Sequence, residues 1–214
     1  MHCLSRDLYL KTEVFGIGNQ AEGEMTADQI NQESDEILAA GTQAPEFTLN
    51  SIPGESHSLA NLKGKPVVLA FYPADWSPVC GDQIALYNEM MDEFSDYGAQ
   101  VFGISVDGVW CHKAFAENRR IHFPLLSDFE PKGEISRRYG AYDKKGGVSQ
   151  RALFVIDGNG VIAWSYLSPM DVNPGADGIF AALEKLRPAG SPAPEQQPTI
   201  PRRDQMNEGE ISAR

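Results

Sequence analysis

Hydrophobic and polar positions change their period several times between residues 41 and 187. Continuous apolar runs at 66–72 ("PVVLAFY") and 99–106 ("AQVFGISV") are typical of strands covered on both faces. Between them, apolar residues recur near helical spacing from Pro78 to about Tyr97, which predicts a helix. A strand, helix and strand in this order nearly always form a right-handed parallel unit, so both strands should end at one edge of the sheet.

Shorter signals complete this pattern along the rest of the domain. Strands are predicted at "EFTLNSI" (46–52) and "FPLLSD" (123–128), and helices at 110–119, "KGEISRRYG" (132–140) and about Gly175 to Leu186. The segment "RALFVIDGNGVIAWSYL" (151–167) predicts a hairpin, because its turn from Asp157 to Gly160 consists of residues that tolerate positive φ. The predicted fold is an α/β sandwich with a mixed central sheet flanked by helices.

The two ends of the chain differ in composition from this middle region. Residues 1–40 are rich in Gly, Glu, Gln and Asn and carry eight acidic against two basic side chains, so we expect a flexible acidic extension. Residues 188–214 are Pro-rich and then polar, which is typical of a linker or a free tail. We therefore predict one domain at 41–187 between two tails that carry no chemistry.

Charge and cysteine content narrow the possible partners and compartment. The formal net charge is 18 minus 30, or −12, which disfavours nucleic acid or an anionic membrane surface as the main partner. No window reaches the roughly 18 apolar residues of a membrane span. Three cysteines are an odd number without metal-finger spacing, which favours a reducing compartment over a secreted disulfide framework. We expect a cytoplasmic protein.

Cys80 lies where the helix after the central strand should begin, with Pro78 near the helix start. Backbone N–H groups without an intrahelical partner point at the sulfur there, and the positive end of the helix dipole favours thiolate over thiol. A lone cysteine is also commonly a buried structural residue, so this position leaves both interpretations open. Ser77 is within reach of the sulfur, although it is also a typical helix cap. Pro73 either ends the strand or shields the sulfur from water.

Three of these residues form a motif. Pro73, Ser77 and Cys80 resemble the Pro-x-x-x-Thr/Ser-x-x-Cys signature of peroxiredoxins, and "FYPADWSPVC" (71–80) is similar to the family's segment almost throughout. Ser77 stands in place of the commoner Thr and keeps the hydroxyl, whereas Trp76 replaces the usual Phe.

Two residues outside that motif extend the resemblance. Arg151, in "SQRALFVIDGNG", matches the family's active-site arginine. Gln83 stands where related proteins often have Glu or Gln bonded towards that arginine. The resemblance spans about residues 41–187, including "APEFTL", "SVDG" and "FPLLSDF", and neither tail.

The resemblance implies a thioredoxin-like fold and thiol peroxidase activity that needs no metal or organic cofactor. The Cys80 thiolate would attack a peroxide oxygen and become a sulfenic acid, with Arg151, Ser77 and helix N–H groups stabilising the departing oxygen. It also implies a thiol reductant, usually thioredoxin, and a homodimer or larger assembly.

Cys111, in "VDGVWCHKAF", is a possible resolving thiol, because it follows the next parallel strand by five residues and should share an edge with Cys80. The alternative is an inert Cys111 with an external thiol as reductant. A disulfide needs Cα atoms about 4.4 to 6.8 Å apart, so the helix turn around Cys80 would unwind first. His112 beside Cys111 suggests a metal pair, but adjacent helix residues diverge and two further ligands are not evident.

Two other functions fit parts of this pattern. A disulfide oxidoreductase on the same fold would show Cys-x-x-Cys, but the fourth position here is Gln83. A redox sensor or chaperone-like interaction protein, switched by oxidation of Cys80, is the alternative of a different class. Consumption of many peroxide equivalents per chain would favour the enzyme over the sensor.

Overall fold

A computed structural model describes residues 36–187 of the chain, and the two predicted tails lie almost wholly outside this range. The strands are β1 Thr48–Ile52, β2 Glu55–Ser58, β3 Val67–Phe71, β4 Gln100–Ser105, β5 Leu125–Ser127, β6 Tyr142–Asp143, β7 Val148–Ser149, β8 Ala152–Ile156 and β9 Ile162–Leu167. The α-helices are α1 Pro78–Glu89, α2 Met91–Asp96, α3 Val109–Arg119, α4 Glu134–Arg138 and α5 Asp177–Leu186, and Leu59–Leu62 forms a 3-10 helix.

Seven strands form one mixed sheet in the order β2-β1-β5-β4-β3-β8-β9. β3 pairs in parallel with β4, and β4 in parallel with β5. On the other side of β3, β8 and then β9 add in antiparallel orientation. The predicted mixed sheet and the central position of the apolar run at 66–72 are thus confirmed. The carboxyl ends of β3, β4 and β5 therefore meet at a common edge, and the loops into α1 and α3 leave from it.

The continuous apolar pattern of β3 follows from burial on both faces, since all five of its residues are buried. Val68 and Ala70 point into a core that contains residues of α1, α2, α3 and α5. Leu69 and Phe71 point into a second core on the opposite face. Successive side chains of a strand alternate between faces, so a strand between two cores has no polar position.

The helix predicted from Pro78 to about Tyr97 is divided in two at Met90. Met90 has φ −101° and ψ 17°, and α2 starts one residue later. On either side of this break, the buried rings of Tyr87 and Phe94 pack edge to face, with their ring centroids 6.3 Å apart. Neither Gly nor Pro marks this position, so the sequence pattern did not reveal it. The short strands β2, β6 and β7 were not predicted either, because they are brief and largely polar.

The predicted hairpin is confirmed in β8 and β9. Gly160 has φ +83°, and the Asp157 carboxylate accepts hydrogen bonds from the N–H groups of Asn159 and Val161, both at 2.9 Å. These bonds satisfy backbone donors that the tight turn would otherwise leave unpaired. Within residues 36–187, no helix combines the length and apolar character that a membrane crossing requires.

The predicted domain boundary after residue 40 remains a prediction. Ile37 and Leu38, which precede it, already pack against the domain, and the Leu38 N–H donates to the Tyr139 carbonyl at 3.1 Å. Ile37 and Leu38 therefore contact the core although the sequence assigned them to the extension.

Gly103 in the middle of β4 offers a test of the packing at the sheet centre. A Cβ atom there would lie 2.7 Å from Leu125 Cδ2 and 3.0 Å from Tyr72 Cε1. We expect Gly103→Ala to lower the free energy of unfolding by about 1–3 kcal/mol, because the core has no room for the methyl group. Urea unfolding of both proteins measures this, and an unchanged midpoint would mean that the neighbours adjust without cost.

Candidate active site

Cys80 lies in the first turn of α1, directly after the exit of β3. Pro78 is the first helical residue, where its missing N–H and fixed φ are tolerated, and Ser77 precedes it in extended conformation. Ser77 occupies the cap position, yet its side chain makes no capping hydrogen bond. The first N–H groups of α1 therefore lack the partner that a capping serine supplies.

Cys80 is fully buried, and a polar side chain reaches its sulfur. Arg151, immediately before β8, directs Nη2 to Cys80 Sγ at 3.4 Å. The pairing of β8 with β3 explains this contact, because it places the start of β8 beside the end of β3. The structure thus brings together two residues that are 71 positions apart in the chain.

The Arg151 side chain is held on its other sides by neutral acceptors. Nη1 donates to Gln83 Oε1, Nη2 also donates to the Met170 carbonyl at 2.9 Å, and Nε approaches the same carbonyl at 3.4 Å. Gln83 Nε2 donates to the Tyr87 hydroxyl at 3.3 Å, and that hydroxyl donates to the Gly175 carbonyl at 3.0 Å. Burial raises the pKa of Tyr87 well above its ordinary value, so the hydroxyl keeps the proton that it donates.

The charge balance around Arg151 points to the sulfur. The guanidinium is only 1% exposed, and no carboxylate from residues 36–187 pairs with it. A buried cation is costly unless an anion or strong acceptors compensate it. Among the groups of residues 36–187 that Arg151 contacts, only the Cys80 sulfur can carry a negative charge, and the guanidinium would stabilise that charge.

Pro73 and Ser77 are the remaining residues of the predicted site. Both lie in the segment between β3 and α1, and both are half-buried. They therefore belong to the loop that connects the central strand β3 to α1, the helix that contains Cys80.

Cys111 lies in the first turn of α3, at the same edge of the sheet, and is half-buried. The Asp75 N–H donates to Asp107 Oδ2 at 3.0 Å, which ties the loop before α1 to the loop before α3. Burial raises the pKa of Cys111 to about 11, helped by a hydrogen bond to Asp75 and by the charges of Asp75 and Asp107, while a hydrogen bond from Trp76 opposes the shift.

His112 is buried, and its ring nitrogen Nδ1 contacts Asp75, so it does not form a metal-ligand pair with Cys111. Its Nδ1 lies 3.0 Å from both carboxylate oxygens of Asp75. The Asp75 carboxylate also accepts a hydrogen bond from the Tyr72 hydroxyl at 2.7 Å. The Sγ of Cys111 and carboxylate oxygens of Asp75 and Asp107 lie within 4.8 Å of one another, but protein donors already use these oxygens, and we assign no metal site here.

The AhpC/TSA family model matches residues 40–165 of the chain. The chain is a peroxiredoxin of this family. A curated peroxiredoxin from Thermoplasma volcanium is 30% identical over 156 residues, which are 70% of this chain and 75% of that protein. A chloroplastic peroxiredoxin Q from Sedum lineare is 36% identical over 151 residues, covering 70% of this chain and 80% of that one. The predicted family is therefore confirmed, and the chain is a peroxidase, an oxidoreductase that acts on peroxide.

Solved structures confirm the thioredoxin-like fold of this peroxiredoxin. The crystal structure of the peroxidoxin BcpB from Mycobacterium tuberculosis superposes with a TM-score of 0.64 at 31% identity, covering 71% of this chain and 99% of that one. The AhpC of Mycobacterium tuberculosis superposes with a TM-score of 0.63 at 26% identity, covering 71% of this chain and 94% of that one.

Sequence reasoning about this peroxiredoxin missed the residues that hold the site together. Tyr87 could have been found, since Cys80, Gln83 and Tyr87 follow at spacings of three and four and so share one face of α1. The Met170 carbonyl could not have been found, because every residue has a backbone carbonyl and the residue type does not indicate which one is used. The predicted parallel unit brings the segments of Asp75 and His112 to one edge of the sheet, but the contact between the two side chains depends on how these segments lie after β3 and β4.

Proposed function

We propose that this peroxiredoxin reduces hydrogen peroxide or organic hydroperoxides through Cys80, which becomes a sulfenic acid and is then recycled by thiols. The observation that carries this proposal is the contact of Arg151 Nη2 with Cys80 Sγ at 3.4 Å, made by a buried arginine that has no carboxylate partner among residues 36–187. A positive charge beside the sulfur stabilises its anionic form, and the thiolate is the nucleophile.

The proposed reaction begins with attack of the Cys80 thiolate on one peroxide oxygen. The S–O bond forms as the O–O bond breaks, and the second oxygen leaves with the electron pair and takes up a proton to give water or an alcohol. Negative charge thus moves from the sulfur to the leaving oxygen. Arg151, the Ser77 hydroxyl and the uncapped N–H groups of α1 are the donors proposed to stabilise this charge.

Access to the sulfur requires local movement, because Cys80 is 0% exposed. The half-buried Pro73 and Ser77 both precede Cys80 in the chain. We propose that they line the opening through which peroxide enters. In this arrangement Pro73 restricts water at the thiolate, while Ser77 remains free to donate to the peroxide.

A steady-state assay that follows loss of hydrogen peroxide with thioredoxin as reductant tests the proposal. Consumption of many peroxide equivalents per chain supports it. Oxidation of Cys80 once per chain, without further turnover under any thiol reductant, would instead favour the redox-sensor alternative.

We further propose that Cys111 resolves the sulfenic acid by forming a disulfide with Cys80. Both cysteines lie in the first turns of helices that start from one edge of the sheet, and Asp75 and Trp76 of the loop before Cys80 contact the Cys111 thiol. The helix turn around Cys80 is proposed to unwind so that the two Cα atoms come within disulfide distance.

Cys111→Ser should therefore change the fate of the oxidised enzyme. After treatment with one equivalent of peroxide, the wild type is expected to contain a Cys80–Cys111 disulfide, whereas the variant should retain a sulfenic acid that reacts with dimedone. Non-reducing peptide mapping measures both species. An unmodified Cys111 beside an oxidised Cys80 in the wild type would remove the resolving role and leave an external thiol as reductant.

Homo-oligomer formation is supported by apolar side chains at the same edge of the sheet. Trp76, Trp110 and Phe129 are 53%, 69% and 58% exposed and follow the parallel strands β3, β4 and β5. Large exposed apolar groups near one edge are typical of a surface that a partner covers. We propose a homodimer or larger assembly, a thioredoxin-type reductant, and a cytoplasmic location, the last because the chain has three cysteines without a disulfide framework.

A further inference from the structure

Polar side chains from three segments surround the Cys111 thiol. Asp75 comes from the loop after β3, Asp107 from the loop after β4, and His112 follows Cys111 in α3. The Cys111 sulfur and carboxylate oxygens of both aspartates lie within 4.8 Å of one another. The Cys111 thiol therefore lies near two potential proton acceptors, Asp75 and Asp107. Asp75 belongs to the loop that leads to Cys80.

Asp75 is fully buried, and its carboxylate is fixed by two donors. His112 Nδ1 lies 3.0 Å from each carboxylate oxygen, and the Tyr72 hydroxyl donates to Oδ1 at 2.7 Å. Burial, followed by the charge of Asp75, raises the pKa of Tyr72 well above its ordinary value, so Tyr72 remains a donor. This arrangement resembles the way in which enzymes orient a base, with a second residue fixing the group that handles the proton.

The His112 ring is oriented so that its Nδ1 points at the Asp75 carboxylate. Its Nδ1 faces two carboxylate oxygens and therefore carries the hydrogen, because a carboxylate only accepts. Its Nε2 is buried without a hydrogen-bond partner among residues 36–187. The contact of Nδ1 with Asp75 is therefore the polar interaction that orients the ring within the described part of the chain.

The Cys111 thiol needs help to react at neutral pH. With its pKa raised to about 11, only about one thiol in ten thousand is ionised at pH 7, and the thiolate is the attacking form. Neighbouring carboxylates that only repelled the thiolate would make resolution slow. A carboxylate that accepts the thiol proton during attack removes this obstacle.

We propose that Asp75 is the general base that accepts the proton of Cys111 as this thiol attacks oxidised Cys80, and that His112 is a positioning residue that holds the Asp75 carboxylate in place. This inference deepens the proposed function and rests on the proposed resolving role of Cys111. It assigns a catalytic part in the second half-reaction to Asp75, which lies five positions before Cys80 in the loop into α1.

The proposed step balances without a further oxidant or reductant. The S–S bond forms as the S–O bond of the Cys80 sulfenic acid breaks, so the Cys111 sulfur is oxidised and the Cys80 sulfur is reduced. The thiol proton moves to Asp75 and from there to solvent. The leaving hydroxide takes up a solvent proton and departs as water.

Substitution of Asp75 separates a base from a mere electrostatic neighbour, because the two roles predict opposite signs. Asp75 raises the pKa of Cys111, so Asp75→Asn should increase the thiolate fraction and accelerate disulfide formation if Asp75 acts only through its charge. If Asp75 is the base, the variant loses a contribution that is typically 10²–10⁴-fold, and we expect disulfide formation at pH 7 to slow by at least about tenfold.

The experiment uses the full-length reduced chain mixed with one equivalent of hydrogen peroxide. Samples are quenched with an alkylating agent at increasing times, and the Cys80–Cys111 disulfide is quantified by non-reducing peptide mass spectrometry. Asp107→Asn is the matched control, since it removes the neighbouring charge, and we expect it to form the disulfide at least as fast as the wild type. A rate for Asp75→Asn equal to or above that of the wild type would overturn the inference.

The pH profile supplies a readout that a structural role would not move. The charged groups that face the thiol are Asp75 and Asp107, and the titratable groups Tyr72 and His112 contact Asp75. We expect the rate for Asp75→Asn to rise with pH and to approach that of the wild type as Cys111 ionises by itself. A rate that is lowered equally at every pH would indicate structural damage and would count against the base.

A pair of His112 variants keeps the inference testable if Asp75→Asn does not fold. His112→Asn can still donate an N–H to Asp75 from the position of Nδ1, whereas His112→Leu cannot. We expect resolution at pH 7 to be slower in the Leu variant than in the Asn variant, with the difference shrinking at high pH. Equal rates for the two would overturn the positioning role.

The outcomes also separate this inference from the function on which it rests. A Cys80 thiol that stays reduced after peroxide treatment would contradict the proposed peroxidase site. Oxidised Cys80 without a disulfide to Cys111 would overturn both the resolving role and Asp75 as its base, and would leave the peroxidase proposal standing. A disulfide that forms normally in Asp75→Asn would contradict the base alone.

Discussion

Cys80→Ser is expected to abolish peroxide consumption by this peroxiredoxin. The serine hydroxyl is not ionised at neutral pH, and a neutral hydroxyl does not attack the peroxide bond, so the nucleophile of the proposed reaction is lost. The exchange replaces one sulfur by oxygen in the first turn of α1 and leaves Arg151, Gln83 and Tyr87 unchanged. The expected loss is therefore a loss of chemistry and not of the surrounding hydrogen bonds.

The measurement is the second-order rate of hydrogen peroxide loss with the reductant in excess. Cys3→Ser is the matched control, because it removes a thiol outside residues 36–187, and we expect it to keep the rate of the wild type. Turnover by Cys80→Ser at the wild-type rate would contradict the assignment of the nucleophile. Thermal unfolding of each variant shows whether a low rate reflects an unfolded chain.

The central part of the fold was predictable because buried positions require apolar residues, and these form a recognisable pattern in the sequence. β3 lies between two cores, so each of its residues is apolar, and the turn of the β8–β9 hairpin needs residues such as Gly160 that accept positive φ. The break at Met90 was not predictable, since it depends on how Tyr87 and Phe94 pack and not on a local breaker. The edge strand β2 is equally hidden, because its polar residues carry no alternating apolar signal.

The candidate site was predictable in its residues but not in its connections. The motif around Cys80 is local, and a short segment of sequence contains all of it. The contact of Cys80 with Arg151 depends on the register between β3 and β8, which no local pattern determines. The parallel unit of β3 and β4 was predicted, but the contact of Asp75 with His112 depends on the conformation of the segments after these strands, which no local pattern determines.

Arg151→Ala is expected to lower the rate of Cys80 oxidation by about 10²–10³-fold, the effect of losing one preorganised donor to developing charge, or about 3–4 kcal/mol in the barrier. The guanidinium contacts Cys80 Sγ, Gln83 Oε1 and the Met170 carbonyl at the same time. Alanine removes the positive charge that favours the thiolate and leaves the amide oxygen of Gln83 without this donor.

Arg151→Lys distinguishes charge from geometry. Lysine keeps the charge but has a single nitrogen, which cannot donate to the sulfur, the amide and the carbonyl from the positions that the planar guanidinium occupies. We therefore expect the Lys variant to fall between the wild type and Arg151→Ala. Arg138→Ala, which removes a positive charge from an exposed residue, is the control and should retain the wild-type rate.

The rate is measured by mixing reduced protein with peroxide and following formation of the sulfenic acid at Cys80, so that the reductant does not enter. Because Arg151 is buried, its loss also lowers stability, and urea unfolding of each variant gives the fraction folded for which the rate is corrected. A corrected rate for Arg151→Ala within about threefold of the wild type would mean that the helix N–H groups and Ser77 suffice to stabilise the leaving oxygen. In that case the 3.4 Å contact between Arg151 and the sulfur would serve packing and charge balance, not catalysis.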